Sequence, residues 1–518
     1  MSKKQFKTAT LPGNEKITPV NPLQDAFIRL EQSERLRQAG KFQQAQKTCL
    51  ALLKEHPNYM AALHTLGLIY AGMSNYEQAL NCLVRAAMQN PRSIATLTAL
   101  SGVYLELDAP ETAAYTLEQA RAIDPKDVNV LVTLGEIYRA EMEYEQAKLV
   151  FAEARALQPD LVPASAGYAW ACSSLGENEE AVAVFEKLLS GGYKRFEPLS
   201  ALAALPAPLL HVDLLDEMDA YLKGPDQSDS DPTMIAFIRA AALDKDERYQ
   251  EAWDAMVPAN KAVLKTVKEQ AERIRERQNR TLDLLRANPV KPASDTAGDA
   301  AGDNTPTTLF ILGPSRSGKT SMEALVASLD GVKRGYENRF VDTAIRQTFQ
   351  GAGLLTNRYF EVLPPQLYPQ CRTIYLEELH HRAGGAKVFT NTHPSRMSDA
   401  ALMSIVFPKT KFLFIKRDPE DVALRIFMRH YQSDNSYAYD MDMVREHIDW
   451  YHEMMDLMVE KNPDHARIVH YEDMVTDPAR ALKVAADLCG IAMPEGAVPA
   501  VGDDRGCAKP YKDMIASL

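Results

Sequence analysis

Gly313-Pro-Ser-Arg-Ser-Gly-Lys-Thr320 follows directly on the apolar run Thr308-Leu-Phe-Ile-Leu312. The spelling is G-x-x-x-x-G-K-[ST] behind a short strand. A strand that ends in small residues lets backbone N–H groups face an anion, and a helix starting at Lys319 adds the positive end of its dipole. The stretch therefore predicts a phosphate-holding turn inside an α/β domain. Outward from it, short apolar runs alternate with helical patterns. Strands are expected at Leu309–Leu312, Lys387–Thr390, Phe412–Lys416 and Arg467–His470. Helices are expected at Lys319–Leu329, Met397–Phe407, Glu420–His430, Asp442–Val459 and Pro478–Leu488. Such alternation predicts a parallel sheet with helices on both faces and a ligand site at the strand C-termini.

The first half of the chain is periodic. Pro57, Pro91, Pro125 and Pro159 are 34 residues apart, as are Ala45, Ala79, Ala113, Ala147 and Ala181. Leu66, Leu100, Leu134 and Tyr168 keep the interval, and so do Tyr70, Tyr104 and Tyr138. Gly67 and Gly135 are two periods apart, with Ser101 between them. Large residues would fill the space between paired helices, small ones would let the helices approach, and each Pro would end the second helix. Most of these residues are therefore core. What remains for function is a concave groove with Tyr59, His64, Thr98 and Asn129, suited to an extended peptide or a protein partner.

The 518 residues exceed one core, and two to four domains are expected. The division read from composition is a tail at 1–26, repeats at 27–196, a degenerate repeat and capping helices at 197–288, a flexible linker at 289–306 and the α/β domain at 307–518. The boundary near 306 is the sharpest. The linker is rich in Pro, Ala, Asp, Gly and Thr and cannot bury a core. Lys261–Leu285 reads as a charged helix with a solvated face, capping the repeats. A net charge of −12 argues against a general nucleic-acid surface. Six scattered cysteines form no C-x-x-C or zinc spacing and read as buried thiols. No apolar leader and no run of about 18 apolar residues is present, so a cytoplasmic protein without a membrane span is expected.

Two resemblances carry these readings further. The 34-residue period with Leu-Gly-x-x-Tyr, then Ala, then Pro resembles the tetratricopeptide repeat. The second half resembles a sulfotransferase, close to the bacterial tetratricopeptide-repeat sulfotransferases and the tyrosylprotein sulfotransferases. Four blocks carry that likeness. Residues 313–320 are similar to the family's G-x-P-R-S-G-T-T. Tyr336-Glu-Asn-Arg339 stands where the family's Glu-x-Arg follows that loop. The third block runs from Phe407-Pro408 through Phe412-Leu-Phe-Ile-Lys-Arg417-Asp-Pro-Glu-Asp421. The fourth is His470-Tyr-Glu-Asp-Met-Val-Thr-Asp-Pro478, like the family's Y-E-D-L-V-x-D-P. Their order and spacing cover most of 307–490.

The resemblance implies a donor, 3′-phosphoadenosine 5′-phosphosulfate, with no metal required. It implies that Arg316, Ser317, Gly318, Lys319, Thr320 and Ser321 hold the donor's 5′ end and that Arg417 reaches its 3′-phosphate. Glu337 takes the place of the general base that accepts the acceptor hydroxyl's proton. Sulfuryl transfer, like phosphoryl transfer, depends on in-line positioning and charge stabilisation. Asp418 with Pro419, and Asp477 with Pro478, also read as helix starts, and Glu472 as an acid that holds a loop. His393 reads as core or surface.

The chain departs from the family pattern at three places. Pro314-Ser315 shifts the Pro-Arg element before Arg316. Thr392, in Asn391-Thr-His-Pro394, stands where the family often carries a Lys that steadies the sulfuryl group. Arg425 stands where a Ser normally meets the 3′-phosphate. Lys319 is expected to supply the charge missing at Thr392, and Arg425 to strengthen the hold on the 3′-phosphate. The segment Asp503-Asp-Arg-Gly-Cys-Ala-Lys-Pro-Tyr511 reads either as a loop over the adenosine, with Arg505 and Lys509 near phosphate, or as a basic tail. Two other functions remain open. One is a P-loop NTPase or kinase using Lys319 and Thr320 with Mg²⁺, which would need an acid at a strand end. The other is a repeat scaffold without catalysis. The acceptor hydroxyl, whether tyrosyl, carbohydrate or small metabolite, is not spelled by the sequence.

Overall fold

The computed structural model describes residues 22–107, 109–191, 196–223, 231–290, 305–354, 362–431 and 435–517. The stretches 1–21 and 291–304, which hold most of the expected tail and linker, lie outside the described residues. Contacts divide the chain into two compact units, Met1–Ala171 and Cys172–Leu518.

The first unit is a stack of antiparallel helix pairs. Phe42–Glu55, Tyr76–Gln89, Pro110–Ile123 and Tyr144–Leu157 are the second helices of successive repeats. Each ends at a cap residue (His56, Asn90, Asp124, Gln158) whose N–H still reaches a helical carbonyl, and the next residue is the periodic Pro. Proline cannot donate, so the helix stops there. Ala45, Ala79, Ala113 and Ala147 are fully buried. The periodic glycines have a steric cause. A Cβ on Gly67 would lie 2.5 Å from Leu83 Cγ, and one on Gly135 would lie 2.7 Å from the Phe151 ring.

The second unit contains a five-stranded parallel sheet of order β2-β3-β1-β4-β5 among the described residues. Its strands are β1 (Thr307–Leu312), β2 (Val332–Lys333), β3 (Val388–Asn391), β4 (Thr410–Lys416) and β5 (Ala466–His470). The strand pleat sorts side chains onto two faces. Phe310, Leu312, Phe412 and Phe414 join one buried cluster, while Leu309, Ile311, Leu413 and Ile415 join the other. Each such side chain contributes about 1.5–3 kcal/mol by burial. Five helices frame the site: α1 (Tyr249–Ala287), α2 (Lys319–Val326), α3 (Phe340–Gly351), α4 (Pro419–Phe427) and α5 (Met441–Lys461). The expected helix starts are present. Asp418 accepts from the Glu420 and Asp421 N–H groups at 3.1 and 3.0 Å, and Asp477 accepts from the Arg480 N–H at 3.0 Å.

Three features differ from the sequence reading. β2 and α3 are additional elements: β2 has only two residues and gives no alternation to read, whereas α3 buries Phe340, Val341, Ala344, Ile345 and Phe349 at helical spacing, a signal the sequence reading misses. Met397–Phe407 is a 3₁₀ turn at Pro394–Asp399 followed by a short α-helix at Ala400–Val406. The compact units part at 171/172, and the boundary expected near 306 lies inside the second unit. The physical reason is α1. Leu282 and Leu285 lie in the same core as Phe310, and Asn260 Nδ2 donates to the Phe427 carbonyl at 3.0 Å. The Trp450 indole of α5 donates to the Gln278 carbonyl at 2.8 Å. The helix read as a cap on the repeats thus has its buried face in the α/β core. Some of its charges pair with α5, as in Arg275–Glu446 and Arg286–Glu453.

Candidate functional site at the end of the first strand

β1 delivers the chain into a tight turn. Gly313 has no room for a side chain, since a Cβ there would lie 2.5 Å from Ser317 Oγ and 2.8 Å from the Ile415 carbonyl. Gly318 has φ +101°, where only glycine is comfortable, and its would-be Cβ meets the Tyr471 ring at 2.7 Å. Arg316 also has positive φ, at +67°. α2 then starts at Lys319. The Lys319 ammonium is buried and folds back on its own loop, donating to the Gly313 and Pro314 carbonyls at 2.9 and 3.0 Å. Ser317 is fully buried, and its Oγ has no hydrogen-bond partner among the described residues. A buried hydroxyl without a partner costs about 1–3 kcal/mol. Arg316 and Thr320 are exposed and Ser321 is half-buried.

Glu337 lies on the loop between β2 and α3. That loop is pinned by Glu323, a fully buried acid of α2. Glu323 accepts from the Tyr336 N–H at 2.9 Å, the Thr390 hydroxyl at 2.5 Å and the Arg334 guanidinium at 3.2 Å. Thr392, buried at the end of β3, donates its N–H to the Tyr336 carbonyl at 2.8 Å. Burial raises the Glu337 carboxyl above the ordinary value, and Lys319 partly opposes this. Burial likewise lowers the Lys319 ammonium to about 8, against the pull of Glu337. Each group thus lies within the other's electrostatic reach. At neutral pH the ammonium keeps its charge.

His393 belongs to the same neighbourhood, although neither spacing nor motif singles it out. Burial and then Arg396 lower its pKa to about 4, with Asp342 opposing and Lys319 among the weaker contributors. It is a neutral imidazole at pH 7. Arg396 is locked by Asp399 at 2.8 Å and Asp342 at 2.9 Å. Among the described residues no group of three His, Cys, Asp or Glu is assembled to hold a metal.

The other half of the site is basic. Arg417, at the end of β4, is buried and lies 4.4 Å over the Tyr471 ring. It donates to the Arg316 carbonyl at 3.0 Å, which ties the turn to β4, and its Nε has no partner among the described residues. Its Nη2 donates to Asp504, at 2.6 Å to the carbonyl and 2.8 Å to the carboxylate. Arg425 of α4 grips the same carboxylate with two bonds, 2.6 and 3.1 Å, and Asp244 with a third at 2.7 Å. Burial works against its charge, but Asp504 and Asp244 outweigh that and raise its pKa. The two arginines assigned to the 3′-phosphate are therefore together, with a carboxylate between them. Glu472 holds the loop as read, accepting from the Asp418 N–H at 2.9 Å. Residues 503–511 are an ordered turn and not a loose tail. Tyr511 is fully buried, and Arg505 bonds Asp503 and Thr476.

A family model described as the sulfotransferase family matches residues 306–495. That match spans all five strands of the α/β unit's sheet. A tetratricopeptide-repeat model matches residues 163–190. Over 191 residues the chain is 24% identical to protein-tyrosine sulfotransferase 2 of Gallus gallus, covering 35% of this chain and 51% of that one. An uncharacterized protein of Aquifex aeolicus (strain VF5) is 18% identical over 281 residues, covering 52% of this chain and 36% of that one. The chain thus spans from about a third to about half the length of these curated relatives. Among solved structures, a tetratricopeptide repeat protein from Parabacteroides merdae ATCC 43184 is 18% identical, covering 46% of this chain and 92% of that chain, with a TM-score of 0.36. A MamA protein is 22% identical with a TM-score of 0.30, covering 33% of this chain and 92% of that one. No described helix is long and apolar enough to cross a membrane. The turn, the acid at 337 and Arg417 lie just beyond the C-terminal ends of parallel strands, where α/β sheets bind ligands, and Arg425 reaches the same place from the last turn of α4.

Proposed function

We propose that the α/β unit transfers a sulfuryl group from 3′-phosphoadenosine 5′-phosphosulfate to an acceptor hydroxyl, and that the repeat groove binds a protein or peptide. The observation that carries the reading is the turn itself, where the buried Lys319 ammonium sits within electrostatic reach of Glu337 and the buried Ser317 hydroxyl has no partner among the described residues. The donor's 5′ end suits that turn, where Arg316, Ser317, Gly318, Thr320 and Ser321 offer hydroxyl, guanidinium and backbone donors. The acceptor oxygen forms a bond to sulfur as the sulfur–oxygen bond to the 5′-phosphate breaks, leaving adenosine 3′,5′-bisphosphate. Glu337 takes the hydroxyl proton, and the burial that raises its pKa favours the protonated carboxyl that results. Lys319 offers positive charge to the sulfuryl oxygens once its ammonium turns from the Gly313 and Pro314 carbonyls. That charge stands in for the lysine absent at Thr392. Asp418, the acid nearest the end of β4, caps α4, which weakens the magnesium-dependent NTPase reading.

A transfer assay with labelled donor and a panel of tyrosyl peptides, hydroxylated sugars and phenols tests the proposal. Glu337→Gln is expected to lower kcat about 100-fold or more while leaving donor affinity near wild type. Transfer at an unchanged rate in that variant would remove Glu337 from the chemistry.

A further inference from the structure

The arginine end of the site is occupied by the chain itself. Arg425 uses Nε, Nη1 and Nη2 on Asp504 and Asp244, and Arg417 adds another bond to Asp504. Two guanidinium charges meet two carboxylate charges, so the cluster is neutral. A carboxylate between forked guanidiniums is also what a phosphate oxygen pair would look like to them. The segment that presents Asp504 is anchored on both sides. Before it, the Tyr471 hydroxyl donates to the Gly502 carbonyl at 2.7 Å and accepts from the Asp504 N–H at 3.0 Å. After it, Asp421 accepts from the Gly506 and Ala508 N–H groups at 2.6 and 2.9 Å. Further on, the Tyr511 hydroxyl donates to Asp244 at 2.8 Å. The Asp504 side chain itself is 38% exposed, so a ligand can reach it from solvent.

We infer that Asp504 is a specificity-determining residue that competes with the donor's 3′-phosphate for Arg417 and Arg425. The inference rests on the sulfonucleotide reading above. A nucleotide bearing a 3′-phosphate engages the arginines only by displacing this carboxylate, whereas one without it leaves the clasp shut. The site therefore binds the 3′-phosphate less tightly than its two arginines allow.

Calorimetric titration of the full chain with adenosine 3′,5′-bisphosphate and with adenosine 5′-phosphate tests this. Asp504→Asn should tighten the bisphosphate about 10-fold or more, by removing a like charge from the pocket, and leave adenosine 5′-phosphate within about twofold. A bisphosphate affinity that is unchanged or weaker in Asp504→Asn would overturn the inference while leaving the sulfonucleotide reading intact. If neither protein binds either nucleotide, both the reading and the inference fall.

Discussion

The repeat unit and the α/β unit solve burial in opposite ways. In the first, the same small residue returns every 34 positions, and Ala45, Ala79, Ala113 and Ala147 carry apolar contact alone. In the second, Lys319, Glu323, Arg396, Asp399 and Arg417 are all buried. Buried charge is costly unless paired, and pairing fixes geometry. Repetition builds a scaffold that tolerates local change, whereas the charged interior holds one turn and one loop against each other.

The largest effect that would sharpen this contrast is at Glu323. Glu323→Ala leaves the Arg334 guanidinium, the Tyr336 N–H and the Thr390 hydroxyl without their acceptor. We expect about 3–5 kcal/mol of destabilisation by chemical denaturation, with loss of Glu337 positioning. A change below about 1 kcal/mol would mean the buried acid is not what pins the loop.

Acid should come next. Burial lowers His447 to about 3, and His393 stands at about 4. Each has a folded pKa below the ordinary value near 6.5, so the unfolded chain binds more protons in between. Stability of the α/β unit is therefore expected to fall as pH drops from about 6.5 towards 4, by about 1.4 kcal/mol per pH unit for each histidine. His447→Gln should flatten that slope, read from denaturation midpoints at successive pH values.

The smallest pair of effects separates contact from space in the repeats. Gly135→Ala drives a methyl into the Phe151 ring and should cost about 1–3 kcal/mol. Gly102 sits in the helix Ile94–Glu106 with nothing within 4 Å of where a methyl would stand, so Gly102→Ala should stabilise by about 0.5–1 kcal/mol. Equal effects at the two positions in thermal unfolding would break the distinction.

What the sequence made legible follows the same division. Periodic alanines and prolines declare the repeats because each performs one local task many times. The strands, the turn at 313–320 and the caps at Asp418 and Asp477 were readable for the same reason, since strand pleat, glycine and N-cap chemistry act over a few residues. Glu323, His393 and Asp504 were not. Their partners lie far along the chain: Glu323 meets Thr390, and Asp504 meets Arg417 and Arg425. A lone acid in an apolar helix stretch, Met322-Glu-Ala-Leu-Val326, was the one available hint. The boundary expected near 306 rests on composition, which marks a linker but does not report that α1 on its far side packs into the core.

The most direct test of the central claim is the melting temperature of the intact chain in EDTA with adenosine 3′,5′-bisphosphate, set beside ATP with magnesium. A ligand of the folded state at 100 times its Kd adds about 2.7 kcal/mol. The account predicts an upward shift with the bisphosphate in the absence of magnesium. A shift only with ATP and magnesium would contradict it, and would return the turn at 313–320 to a nucleotide triphosphate.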